Sequence, residues 1–218
     1  MNIYKIALTG GPCAGKTEIL KYLTNKLKSD EYYVITIPET ATYLINSGTP
    51  PLEDPKHAVY FQNIVLKLQL AKEEAAEYYC KNTLKTNPEH FKDKKGIIIL
   101  CDRGIMDNRA YLNQEEYDNM LKNQNLNELE LLYSYDLAIN LISLATTNPE
   151  LYQLDGIRYE SVEKAAERDK ITSSAWLLHP NLKMIKPQNT IEEKCNELNI
   201  ETINAYPYVS KMMYKKEQ

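Results

Sequence analysis

Residues 10–17 read Gly-Gly-Pro-Cys-Ala-Gly-Lys-Thr, a G-x-x-x-x-G-K-T pattern whose flanks limit the folds open to the chain. Ile3, Ile6, Ala7 and Leu8 form a short apolar run before it, and Ile19, Leu20, Leu23 and Leu27 follow at helical spacing. Strand, glycine-rich loop and helix, in that order, make a phosphate-binding loop. Gly10, Gly11 and Gly15 allow positive φ and close approach of the backbone to an anion, and Pro12, Cys13 and Ala14 complete the wrap around the phosphates. Lys16 adds a mobile positive charge, and Thr17, opening the helix, offers a hydroxyl to a phosphate-bridging magnesium ion. The expected ligand is a nucleoside triphosphate. The Asn-Lys-x-Asp signature of regulatory GTPases is missing, since Asn25-Lys26-Leu27-Lys28 lacks the Asp, so Mg2+ with ATP is favoured while GTP stays open.

The chain has 218 residues, 43% hydrophobic and 26% charged, which suits one α/β domain with a full core. A net charge of −4 provides no global basic field, so nucleic acid and anionic membranes are not expected partners. No stretch approaches eighteen uninterrupted apolar residues, so no transmembrane segment is expected. The cysteines at 13, 80, 101 and 195 show no C-x-x-C spacing and read as reduced thiols of a cytoplasmic protein. The reading allows a homodimer.

Strand and helix patterns alternate along the chain, which implies a parallel sheet with right-handed crossovers. Tyr33 to Ile37 is a β-branched run ending at Pro38, and a helix is expected from about Ala41 to Asn46. A long helix follows from Lys56 to about Tyr79, with Gln62 and Gln69 on one face. The segment 81–95 reads as a solvated connection. Gly96 to Cys101 is the most apolar strand, suited to burial on both faces. Further strands are expected over 135–144 and 182–185, helices over 160–176 and 190–198, and a loop over 146–159. The expected fold is a three-layer α/β sandwich of the P-loop NTPase type, with a mainly parallel five-stranded sheet and a lid.

In open α/β sheets ligands lie beyond the carboxyl ends of the strands. Glu39, at the end of the second strand, is there a candidate general base for phosphoryl transfer to a hydroxyl, although Glu39 and Thr40 equally suit a helix start. Asp102 suits the magnesium ion or caps the element after it. Arg103 suits the phosphate or hydroxyl end of an acceptor, or a surface ion pair. Asp107 and Tyr111, four apart, share a face towards the crevice or form a local pair. Phe61 reads first as core, and Gln62 is the more informative neighbour. His57, His90 and His179 lack metal spacing. Arg158 opens a helix after the Asn148-Pro149 and Asp155-Gly156 turn points, where a closing lid would carry it onto the transferring phosphoryl group. Arg168 is the weaker candidate for that role, because ten residues of helix set it about 15 Å further along, and its alternative is a surface ion pair.

Taken together, Gly10 to Thr17, Pro38-Glu39-Thr40-Ala41-Thr42, Phe61-Gln62, Asp102-Arg103-Gly104 with Asp107 and Ala110-Tyr111, Arg158-Tyr159-Glu160, and Ala175-Trp176 with His179-Pro180 span most of the chain. Their pattern resembles the small AAA-labelled P-loop ATPase and kinase family related to the nicotinamide-riboside kinase domain, and more distantly deoxynucleoside and thymidylate kinases. The distant resemblance implies a nucleoside/nucleotide-kinase-like fold, Glu39 as base, Asp102 and Arg103 on metal and acceptor, and Phe61 with Gln62 reading a base. Two functions stay open: a kinase acting on a nucleoside, nucleotide or riboside-like small molecule, and a nucleotide-dependent switch that hydrolyses slowly and regulates a protein partner.

Both depend on the phosphate loop. Lys16→Ala removes a charge-assisted contact of about 1.5–3 kcal/mol, and Gly15→Val blocks backbone approach to the phosphates. Calorimetric titration of both folded variants should show strongly weakened Mg-ATP binding; unchanged affinity would refute the phosphate-loop reading.

Overall fold

The computed structural model describes residues 1–147, 149–151, 161–187 and 193. In chain order the elements are β1 (Ile3–Gly10), α1 (Lys16–Ser29), β2 (Tyr32–Ile37), α2 (Thr40–Asn46), α3 (Pro55–Thr86), β3 (Gly96–Asp102), α4 (Gln114–Asn123), α5 (Glu128–Tyr133), β4 (Leu137–Leu141), α6 (Leu144–Thr147), α7 (Val162–Ala175) and β5 (Leu182–Ile185). Short 3₁₀ turns cover Pro88–Phe91, Ile105–Tyr111 and Pro149–Leu151. The five strands form one sheet of order β2-β3-β1-β4-β5, and every pair is parallel. The fold is the expected P-loop NTPase sandwich, with a sheet that is parallel throughout.

Alternation along the central strands sorts the core into two layers. Ile6, Leu8, Ile98, Leu100 and Ile139 point to one face and pack on Ile19, Leu23 and Leu27 of α1. Ala7, Ile97, Ile99, Cys101 and Ala138 point to the other, against Leu66 of α3, Met120 of α4, Leu131 of α5 and Trp176 beyond α7. Both faces of β3 are therefore buried, which is why its sequence is continuously apolar. The register sets Leu8 beside Asp102 and Gly10 beside Leu141, so the ends of β1, β3 and β4 meet around the phosphate loop.

The segment 81–95 differs from its expected role as a solvated connection. α3 runs to Thr86, stopping where the next residue, Asn87, precedes Pro88 and is turned out of the helical region. Cys80 and Phe91 are fully buried and share a cluster with Leu84, and the Phe91 ring meets Tyr33 edge-on at 4.9 Å. The polar residues of the stretch surround an apolar anchor that fastens α3 to the sheet edge. At the other end of the chain, α6 and the turn at Pro149–Leu151 occupy part of the expected 146–159 loop. The rest of the expected lid, with Arg158, lies outside the described residues, as do Cys195 and nearly all of the expected helix over 190–198. Cys13, Cys80 and Cys101 are free thiols. Among the described residues no helix is long and apolar enough to cross a membrane.

Gly104 packs tightly between sheet and helix, because a Cβ there would lie 2.5 Å from the Trp176 ring and 3.0 Å from the Ala7 methyl. Gly104→Ala should destabilise the fold by about 1–3 kcal/mol, as overpacking does. Urea unfolding followed through Trp176, the one tryptophan of the chain, measures this.

Candidate functional site

The phosphate loop is built as its composition requires, with one difference. Gly10 (φ 135°) and Gly15 (φ 80°) take positive φ, and so does Cys13 (φ 58°). Gly11 does not: it is glycine because a Cβ there would lie 2.6 Å from the Asp169 side chain. Asp169, buried on α7, accepts the Gly11 N–H at 2.9 Å through Oδ1. Its Oδ2 accepts the Ser143 N–H at 3.2 Å and the Thr146 hydroxyl at 2.7 Å, and the Ser143 hydroxyl donates to the Pro12 carbonyl. A buried carboxylate thus ties the back of the loop to the end of β4. Lys16 opens α1, and its ammonium donates to the Gly10 and Gly11 carbonyls at 2.9 and 2.8 Å. Burial, aided by Arg103, pushes its pKa down to about 8. Thr17 follows with an exposed side chain.

Arg103 joins the ends of β2, β3 and β1. Its backbone is left-handed (φ 68°), fixed by its N–H donating to the Leu8 carbonyl at 2.9 Å. Its Nε donates to the Glu39 carboxylate, and its NH1 to Gly10 O and to Asp107 Oδ2, both at 3.2 Å. Arg103 is therefore no surface ion pair. Burial favours the neutral form of Glu39, but Arg103 and the Thr42 hydroxyl outweigh it and hold the carboxyl below its ordinary range. The Asp107 carboxylate, buried, also accepts from the Thr9 hydroxyl at 2.6 Å and from Trp176 Nε1 at 2.7 Å. Three protein donors thus meet the Asp107 carboxylate, which holds Arg103 in place and also borders the adjoining cavity. Asp102 differs: its buried Oδ1 has no hydrogen-bond partner among the described residues, and burial with the nearby Glu39 charge raises its pKa. A carboxylate oxygen that the protein leaves unsatisfied, beside the phosphate loop, fits a magnesium ion bound by one carboxylate, phosphate oxygens and water.

Next to this cluster opens a cavity of about 390 Å³. Glu39, Arg103 and Asp107 border one part, and Phe61, Val65 and Ile45 supply apolar surface. Gln62 is 8% exposed and lines the same space, and among the described residues no hydrogen bond engages its side chain. Phe61, 4% exposed, is both core and wall. Arg168, the weaker of the two arginine candidates, lines the cavity, its guanidinium 4.9 Å from the centre of the Tyr111 ring. His179 is structural, its Nε2 2.9 Å from the Tyr135 carbonyl.

Sequence reasoning missed Asp169 and the placement of Arg168. A signal for Asp169 existed, since it falls in line with Ala165, Thr172 and Ala175 on the buried stripe of α7, where an unpartnered charge is excluded. Arg168 could not be placed without knowing which face of α7 meets the turn at Ile105–Tyr111.

A parallel sheet in this order, with a glycine-rich loop leading from β1 into α1 and acidic groups at the neighbouring strand ends, defines a P-loop nucleotide-binding protein. The family model described as an AAA domain matches residues 5–194, and the chain belongs to that family. No curated protein matched the sequence.

Asp169→Asn tests the clamp behind the loop. An amide presents its NH2 to donors that need an acceptor, so the variant should lose about 1–3 kcal/mol of stability in urea unfolding and bind Mg-ATP more weakly by calorimetry. A variant equal to wild type in both would show that Asp169 does not shape the loop.

Proposed function

We propose that this protein is a phosphotransferase that moves the γ-phosphoryl group of Mg-ATP to a small-molecule acceptor held in the cavity beside Glu39. One observation carries the reading: the cavity sets Glu39 and Arg103, whose guanidinium reaches the Gly10 carbonyl, against apolar walls and an unengaged amide at Gln62. A regulatory NTPase that only positions water has no need of such a chamber. The volume and the flat apolar walls suit a nucleoside, nucleotide or riboside-like acceptor, in line with the resemblance to nucleoside and nucleotide kinases.

In this scheme the loop N–H groups and Lys16 bind the phosphates, while Thr17 and Asp102 would hold a magnesium ion, which would supply neutralisation of phosphate charge. Glu39, kept ionised by Arg103, accepts the proton of the acceptor hydroxyl as that oxygen attacks phosphorus. Arg103 keeps the carboxylate facing the incoming group, and Asp107 keeps Arg103 in place. Phe61 and Gln62 orient the acceptor ring. Arg168, a cavity cation steadied on Tyr111, stabilises charge on the transferring group, the part first given to Arg158.

A thermal-shift screen of nucleosides and nucleotides with Mg-ATP identifies the acceptor, since a ligand at a hundred times its Kd stabilises by about 2.7 kcal/mol. With that acceptor, Glu39→Gln should keep nucleotide affinity while transfer falls about 10²–10⁴-fold. Full activity in Glu39→Gln would move the base elsewhere. A screen in which only ATP or GTP stabilises the protein would favour the switch reading.

A further inference from the structure

Beneath Glu39 and Arg103 lies a buried polar network that the scheme above leaves unused. Gln69 and Glu73, one turn apart on α3, are 3% and 2% exposed. The Thr40 hydroxyl donates to Gln69 Oε1, and Gln69 Nε2 donates to Glu73 Oε1 at 2.7 Å and reaches the Arg103 carbonyl at 3.5 Å. The Tyr135 hydroxyl donates to the same Glu73 oxygen at 2.6 Å and accepts the Ile105 N–H at 2.9 Å. Lys72 donates to the Thr40 hydroxyl at 2.8 Å and to the Pro38 carbonyl at 2.5 Å. Lys5 closes the network from β1, 3.1 Å from Glu73 and 3.1 Å from Glu77.

The pattern of attachment is specific. The network grips residues on both sides of Glu39, at Pro38 and Thr40. It grips the other strand end at Arg103 itself and at Ile105, on either side of Gly104. The two groups whose side chains form the central ion pair are therefore held from below by a single set of bonds converging on one carboxylate. Packing alone would not call for this, because buried polar groups are costly unless every partner is in place. Arg103 also has a backbone conformation that a side-chain-bearing residue keeps only when its surroundings impose it.

We propose that Gln69, anchored by Glu73, is a positioning residue that sets the register of Glu39 against Arg103 through Thr40 and the Arg103 carbonyl. This rests on the proposed transfer reaction for its catalytic consequence but not for its structural one. Loss of Gln69 leaves the phosphate loop intact and lets the Glu39 carboxylate drift from its working position.

Two measurements on the full chain decide it. The first is phosphate release from Mg-ATP, with water in the acceptor's place. Gln69→Met and Thr40→Val should each lower turnover at least tenfold with the Mg-ATP Kd within threefold of wild type, and Thr40→Ser, which keeps the hydroxyl, should restore it. The second is a double-variant cycle of Gln69→Met with Glu39→Gln, read as urea midpoints. Positioning predicts coupling: in the Gln69→Met background, Glu39→Gln should move the midpoint by less than half as much as in wild type. Additive midpoints overturn the proposal, as does a folded Thr40→Val with wild-type turnover. If Glu39→Gln leaves phosphate release unchanged, Glu39 is not the base of the proposed reaction, and the midpoint cycle alone then decides whether Gln69 positions Glu39.

Discussion

A buried guanidinium has few stable settings, and Arg103 is given one of them. Its charge meets carboxylates from β3's following turn and from the end of β2, and its NH1 also reaches the last residue of β1. Removing a charge from water costs several kcal/mol, repaid only by near-complete pairing, so these groups must be present together. The crevice is consequently stiff where chemistry would need it to be. Arg103, beside Glu39, offsets the burial of its carboxyl, and Arg103 is held there by Asp107, which is tied in turn to Thr9 and Trp176. The chain of dependence runs from a side chain in the core to the carboxylate facing the cavity.

α7 performs a second coupling. Two adjacent residues on it serve different compartments: Asp169 grips the phosphate loop and Arg168 faces the cavity. Any shift of this helix moves both. A carboxylate behind a phosphate-binding loop looks unfavourable, yet Asp169 is turned away from the ligand side and satisfied by three donors that would otherwise be buried without acceptors. The loop therefore has a supported shape before a nucleotide arrives.

What could be read from the sequence, and what could not, divides along a physical line. The phosphate loop, the strand ends at Glu39 and Asp102, and the all-apolar β3 were legible because each is a local pattern whose meaning the backbone fixes. The double use of Asp107 and Arg103 was legible only as proximity; their partners Thr9, Gly10 and Trp176 come from distant segments. Residues 81–95 misled because their polarity is real while one buried aromatic, Phe91, decides the fold there. Gln69 was visible as a polar residue near an apolar stripe, but its role depends on Thr40 and Tyr135, which no periodicity connects to it.

Lys16 links the phosphate loop to the Arg103 cluster. Its ammonium rests on two carbonyls of its own loop, and burial beside Arg103 disfavours the charge. Carbonyl dipoles compensate a desolvated cation only in part, whereas phosphate oxygens compensate it well. Lys16 and Arg103 both donate to the Gly10 carbonyl, so the two cations are joined through one backbone oxygen, and Arg103 in turn holds Glu39. A group that compensates the Lys16 charge therefore bears on the same carbonyl that helps to fix the Glu39–Arg103 pair.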